Sequence, residues 1–267
     1  MKYKLGIIGL GNMGGAILSG VENDFEGRIL VSTLDAPKIN NNDRKNIDII
    51  NDNKYLSQNC EYILIAVKPK DSKIILKEIE PYITNQNIVI SIMAGVKLAS
   101  LIKSLPKAGA LARVMPNLAA KIGQSCSGIA FYKASQTVQK FVIDLFKRIG
   151  KVVVLEEEKM DAVTAISGSG IAYVYYFIHS LIQAGQKVGL SEDESRKLAL
   201  QTALGGVKMI ETHPNQNIED MVDAVCSKGG TTIEAIKTLK NQGFKKIIEQ
   251  AVWAAYNKSI NLSEENK

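Results

Sequence analysis

Leu5-Gly6-Ile7-Ile8-Gly9-Leu10-Gly11-Asn12-Met13-Gly14-Gly15-Ala16-Ile17-Leu18 sets an apolar run, a glycine-spaced turn and a second apolar run in immediate succession. Read by the periods of strand and helix, the order is strand, tight turn, helix. Gly9, Gly11 and Gly14 keep the spacing GxGxxG. In that spacing one glycine makes the turn, one lets backbone approach a pyrophosphate, and one lets helix lie close on strand. The helix start adds free N–H groups and the positive end of a dipole, both suited to an anion. The alternative is an ordinary glycine-rich turn. The strand-turn-helix context favours a dinucleotide seat formed by Ile8, Gly9, Leu10, Gly11, Asn12, Met13 and Gly14.

Outward from this turn, Arg28 to Thr33 reads as a second strand and completes a βαβ unit. Asp35 lies 21 positions after Gly14. An acid at about this distance bonds adenosine ribose hydroxyls and favours NAD over NADP; a loop aspartate past the strand end is the competing reading. Thr33 and Asp35 are accordingly cofactor-side candidates. Residues 40–59 are rich in Asn, Asp and Lys and predict a polar connection around a short strand, Asp48-Ile49-Ile50.

Tyr62 to Val67 is a nearly continuous apolar run, as a strand buried on both faces requires, and it stops at Lys68-Pro69. A helix from Asp71 to about Ile79 follows, then a strand from Ile88 to Ile92, a helix over 97–105 and a strand from Ala110 to Met115. Two further strands, Gly128 to Phe131 and Val152 to Leu155, flank a helix from about Ser135 to Arg148. Such alternation predicts an α/β domain with a parallel sheet covered by helices, whose ligands bind outside the carboxyl ends of the strands. Ala66, Val67, Lys68, Pro69, Ala94, Gly95 and Asn117 all fall at such ends and join the cofactor-side set. Lys68 reads as a backbone contact rather than a general acid.

After Glu156-Glu157-Glu158 strand-like runs disappear, which places a division between residues 1–158 and an all-helical part over 159–267. Ala162 to Ile182 contains no Asp, Glu, Lys or Arg. That length admits a transmembrane helix, but Thr164, Ser167 to Gly170, three tyrosines and His179 dilute it and no aromatic belt or basic flank frames it. A buried helix in a subunit interface is the expectation, with His179 a satisfied core residue. Ser191 to Glu194 is a capping box that opens a helix to about Thr212. His213, before Pro214, reads as a helix-end side chain interacting with the last carbonyls. Ser227-Lys228-Gly229-Gly230-Thr231-Thr232 then interrupts the pattern before a helix from about Ile233. Its free backbone N–H groups and hydroxyls suit a carboxylate, or merely cap the helix.

Bulk properties narrow the class. Net charge is +6, yet the lysines are scattered and aromatics make up only 6%, so neither a basic stripe nor a stacking surface for nucleic acid stands out. Three cysteines without CxxC spacing and two histidines argue against a disulfide framework and a structural zinc site. Met1 runs directly into the first strand, so no targeting segment is expected and the cytoplasm is the default location.

Val225-Cys226-Ser227-Lys228-Gly229-Gly230-Thr231-Thr232 resembles the signature of pyrroline-5-carboxylate reductases. Arg113 to Asn117, Asp161 with Thr164 to Tyr173, and Gln201-Thr202 with Gly205-Gly206 and Lys208-Met209 are similar to that family's other landmarks, in the same order along the chain. The resemblance implies a Rossmann-like dinucleotide-binding domain followed by an all-α dimerisation domain, assembled as a dimer or a larger assembly of dimers. It implies NADPH- or NADH-dependent reduction of 1-pyrroline-5-carboxylate to proline, with no metal. It assigns Thr232 to the imine nitrogen as the catalytic residue, and Ser227, Gly229, Gly230 and Thr231 with Thr232 to substrate binding. Lys228, Ile171 and Ala119 stand where the family usually has proline, and Leu34 stands where NADP-using members often carry arginine. Leu34 and Asp35 together predict that NADH is used at least as well as NADPH. Another cyclic-imine or hydroxyacid reductase of this architecture, and a non-catalytic dinucleotide-binding protein, are the alternatives.

Overall fold

The computed structural model describes residues 1–22, 24–35 and 46–265. The polar stretch over 40–45 lies outside the described residues. β1 (Tyr3–Ile8) lies inside the sheet, and Leu5, Ile7 and Ile8 are fully enclosed, as a strand covered on both faces requires. Each such side chain contributes about 1.5–3 kcal/mol of burial free energy. The glycine turn leads into α1 (Asn12–Val21). β2 (Ile29–Ser32) and β3 (Ile47–Ile50) extend the sheet on one side of β1. On the other side come β4 (Cys60–Ile65), β5 (Ile88–Ser91), β6 (Ala110–Met115), β7 (Ser125–Tyr132) and β8 (Gly150–Val154). The order is β3-β2-β1-β4-β5-β6-β7-β8. The direction of winding reverses between β1 and β4, which is where an open sheet offers a crevice.

Two sequence expectations are corrected here. The sheet is not parallel throughout: β7 runs antiparallel to β6, with Met115 opposite Gly128. Residues 116–124 between them hold only a short 3-10 turn, Leu118–Ile122, and a parallel return needs a crossover of a dozen or more residues. The 40–59 stretch is not all connection, because α2 (Asn53–Asn59) occupies its end. Asp52 caps this helix by accepting from the Tyr55 N–H at 2.9 Å, and Leu56 is its fully buried anchor.

Helices cover both faces. Ala16, Ile17 and Leu18 of α1 and Phe146 of α5 (Gln136–Lys147) join Leu5 and Ile7 in one core layer. On the opposite face Leu56 of α2, Leu76 of α3 (Ser72–Ile79) and Leu101 of α4 (Leu98–Ser104) enclose Ile8, Ile63 and Ile65.

After β8 come α6 (Met160–Val163), a π turn over Thr164–Gly168, and α7 (Gly170–Lys187). The chain divides into two compact units, Met1–Ile171 with Ala254–Lys267, and Ala172–Trp253. The first unit thus extends past the expected division after residue 158, because Met160 and Ala165 are fully buried and Asp161 is bonded to Ser259 near the chain end.

The second unit holds most of α7, then α8 (Glu192–Thr212), α9 (Ile218–Ala224), α10 (Thr231–Asn241) and the first part of α11 (Phe244–Glu265). The capping box opens α8, with Ser191 Oγ accepting from the Glu194 N–H at 3.3 Å and Glu194 accepting from the Ser191 N–H at 2.8 Å. His213 sits at the end of α8 with Nδ1 2.9 Å from the Met209 carbonyl oxygen, as expected. Every residue of α7 is half-buried or exposed in the single chain and Tyr176 is 75% exposed, so its own chain does not bury this helix and the expected cover is a second subunit; His179 is exposed rather than a core residue of its own chain. Composition alone cannot distinguish a core helix from one that a second chain covers. The segment Glu157–Lys187 is long and apolar enough to cross a membrane by length and composition.

Candidate dinucleotide and substrate sites

The cofactor-side candidates gather at one edge of the sheet. Ile8 ends β1, Thr33 follows β2, Ala66 to Pro69 follow β4, Ala94 and Gly95 follow β5, and Asn117 follows β6. Backbone bonds carry the sheet register just past the strand ends: the Gly9 N–H donates to Ser32 O at 2.8 Å and the Ala66 N–H to Ile8 O at 2.8 Å. The glycine turn is built as its spacing requires. Gly9 adopts φ +94°, and a Cβ on Gly14 would stand 2.2 Å from the Gly9 carbonyl oxygen, so only glycine lets α1 start this close to the strand.

Gly11 precedes α1 with no side chain capping the helix, and a Cβ there would meet only open space. The first N–H groups of α1 are therefore left for an anion. They open on a groove of about 610 Å³ lined by Leu10, Gly11, Asn12 and Ser19 with Lys68 and Lys121. Two ammonium groups beside a helix start suit a pyrophosphate. Lys121 was not legible in the sequence. It comes from the 3-10 turn after β6 and donates to Asn12 Oδ1 at 3.1 Å. Asn117 organises that turn: its Oδ1 accepts from the Ala119 N–H at 3.1 Å, and its Nδ2 donates to Ser167 Oγ at 3.0 Å. Its backbone is used too, the N–H donating to Ser125 Oγ at 3.0 Å and the carbonyl oxygen accepting from the Ala120 N–H at 3.1 Å, so Asn117 shapes the edge with all its polar groups. Thr33 Oγ1 accepts from the Asp35 N–H at 3.4 Å, while Leu34 is 86% exposed at the end of β2.

The candidate substrate residues lie in the second unit, at the start of α10. This helix begins at Thr231, two residues earlier than expected, so Thr231 and Thr232 occupy its first turn and Gly230 is its N-cap. No side chain caps it. Ser227 to Gly230 form a turn closed by the Gly230 N–H on Ser227 O at 2.9 Å, with Gly229 at φ +75°. A positive φ at the third position is what a type II turn needs. The turn brings the Ser227 hydroxyl beside Gly230 at the uncapped helix start that Thr231 and Thr232 open, and free N–H groups of this kind suit an anion such as a carboxylate. Glu234, the one acid in that first turn, is ion-paired with Lys237 at 2.7 Å.

A family model described as pyrroline-5-carboxylate reductase dimerisation matches residues 157–262, and one described as NADP oxidoreductase coenzyme F420-dependent matches residues 4–95. The pyrroline-5-carboxylate reductase of Aquifex aeolicus is 35% identical over 94% of this chain and 94% of its own length. That of Staphylococcus aureus is 32% identical over 97% of this chain and 98% of its own. The crystal structure of the Plasmodium falciparum pyrroline carboxylate reductase with NADP bound superposes with a TM-score of 0.87, at 34% identity, covering 98% of this chain and 99% of that one. With both halves matched in order and relatives above 30% identity across nearly the whole length, the chain belongs to the pyrroline-5-carboxylate reductase family.

Proposed function

We infer that this chain reduces 1-pyrroline-5-carboxylate to proline with NAD(P)H. The observation that carries the reading is the pairing, in one chain, of an uncapped glycine-turn helix start with a second uncapped helix start bearing Ser227, Gly229, Gly230, Thr231 and Thr232. When bound, the reduced dinucleotide supplies the hydride. Gly9 to Gly14, with Lys68 and Lys121 nearby, hold its pyrophosphate; Ala66, Val67, Pro69, Ala94 and Gly95 line the strand ends, and Asn117 shapes the turn that carries Lys121. The uncapped backbone N–H of Thr231 and the Ser227 hydroxyl fix the substrate carboxylate, with Gly229 and Gly230 forming the turn that leaves the helix start open. The Thr232 hydroxyl donates to the imine nitrogen, polarising the C=N bond and steadying the charge that collects on nitrogen as hydride adds to the carbon; the nitrogen then takes one proton from solvent to give the proline amine.

Exposed Leu34 followed by Asp35 supports use of NADH at least as well as NADPH, since a carboxylate receives ribose hydroxyls and repels a 2′-phosphate. Comparing kcat/KM for the two cofactors tests this, and a large advantage for NADPH overturns it. The protein works as a dimer or an assembly of dimers in the cytoplasm, without nucleic acid or membrane. Burial of Met160 and Ala165 at the start of the long apolar segment and its π turn support a place inside a protein rather than in lipid. The activity is tested by adding 1-pyrroline-5-carboxylate to protein and reduced dinucleotide. Imine-dependent oxidation with equimolar proline is expected, and binding without turnover overturns the reading.

A further inference from the structure

We propose that a ring of contacts, closed through the last turns of α11, positions the loop between β5 and α4 for the dinucleotide; the proposal rests on the reading of Ala94 and Gly95 as cofactor-side residues. The ring begins at Glu157, whose Oε1 accepts from the Leu98 N–H at the start of α4 at 2.5 Å and from Arg113 Nη1 at 3.2 Å. Arg113, on β6 and 3% exposed, turns its Nη2 to Asp161 Oδ1 at 3.5 Å. That oxygen also accepts from Ser259 Oγ at 2.7 Å and Ser263 Oγ at 3.3 Å. The two serines are one helical turn apart and bracket Leu262. Leu262 lies directly against the loop: a Cβ on Gly95 would stand 3.1 Å from its Cβ and 3.2 Å from its carbonyl carbon. The chain of contacts therefore returns to the segment from which it started.

Both ends of the ring land on one short segment, at Gly95 in the loop and at Leu98 where α4 begins, and apart from Leu262 the groups between them are polar and largely enclosed. A buried guanidinium held by two carboxylates is an expensive way to fill space, and apolar residues of similar volume would hold the fold at least as well. What the polar version adds is a fixed geometry, because each donor has one direction and one partner. Gly95, at φ +73°, is held from the side of α11. Glu157, Arg113, Asp161, Ser259 and Ser263 are thus positioning residues that act through the loop and touch no substrate themselves.

The test is the double variant Ser259→Ala/Ser263→Ala, with Ser259→Thr as the conservative control. The double variant is expected to raise KM and Kd for the dinucleotide about tenfold, the equivalent of one hydrogen bond to a charged group. Hydrogen exchange over residues 93–97 should quicken, while kcat and KM for 1-pyrroline-5-carboxylate stay within about twofold. Ser259→Thr should keep the wild-type values. A fall in Tm with dinucleotide KM and loop exchange unchanged overturns the proposal. Should the double variant not fold, Leu262→Ala removes the packing on Gly95 and keeps both hydroxyls; the same rise in dinucleotide KM is expected, and an unchanged KM overturns the ring. Ala94→Phe separates the underlying reading: unchanged dinucleotide binding there removes the loop from the cofactor site. Weakened binding there, with wild-type KM in the serine and leucine variants, overturns the ring alone.

Discussion

The two uncapped helix starts, at Asn12 and at Thr231, present the same chemistry in different surroundings. Each offers free N–H groups behind a glycine turn. The first stands among the ends of five strands, so its own unit supplies walls, a groove and two lysines. The second stands on a unit whose helices bury almost nothing: Ser195 and Ala199 are the only buried residues among the described ones from Ala172 to Trp253. Tyr175, Tyr176, Leu198, Leu204 and Val207 are all more than half exposed. An apolar surface of that extent on a folded helical unit marks a protein interface. One helix start is therefore finished by its own chain, and the other belongs to a unit whose core is completed by a second copy.

The largest effect should come from breaking the unfinished side. Tyr176→Asp with Leu204→Asp places charge on the apolar faces of α7 and α8. It should weaken the dimer at least about a thousandfold by light scattering and abolish imine reduction, with dinucleotide affinity within about twofold of wild type. A fully active dimer would erase the distinction between the two units. Next, Thr232→Ala should lower kcat/KM for 1-pyrroline-5-carboxylate about 10- to 150-fold, as loss of a hydrogen bond to a charged group predicts, and leave dinucleotide Kd unchanged. Unchanged steady-state kinetics would remove Thr232 from the reaction. On the finished side, Gly14→Ala forces a methyl against the Gly9 carbonyl and should cost about 1–3 kcal/mol in urea unfolding, with weaker dinucleotide binding. Wild-type stability there would mean that the turn relaxes freely. The smallest effect is expected from Lys228→Pro. Lys228 is the second residue of a turn whose third is Gly229 at φ +75°, where proline is favoured, so the substitution should stabilise by about 0.4–1 kcal/mol with activity retained. Destabilisation would show that Lys228 needs its N–H.

What was legible in the sequence follows the range of the forces involved. β1, the glycine turn and α1 were readable because continuous burial and close backbone approach leave local marks, and the Ser191 capping box lies within four residues. α2 was missed because its polar composition hides a short helix anchored by little more than Leu56, although Asp52 was a readable cap. The reversal of β7 depends on the shortness of the link after Met115 rather than on either strand's residues. For α7 the apolar run and an interface place were readable from its composition, but the share of cover left to its own chain was not, since an apolar stripe has the same sequence whether its own chain or another covers it. At the sites, the residue types were readable and the joining contacts were not. Lys121 meets Asn12 across 109 positions and Ser259 meets Asp161 across 98, and neither pair carries a local signal.

The most direct measurement follows the hydride itself. Dinucleotide deuterated on the transferred C4 position, incubated with the protein and 1-pyrroline-5-carboxylate, should yield proline carrying one deuterium at C5 for each cofactor oxidised. Cofactor bound without imine-dependent oxidation, or proline formed without the label, would contradict the account.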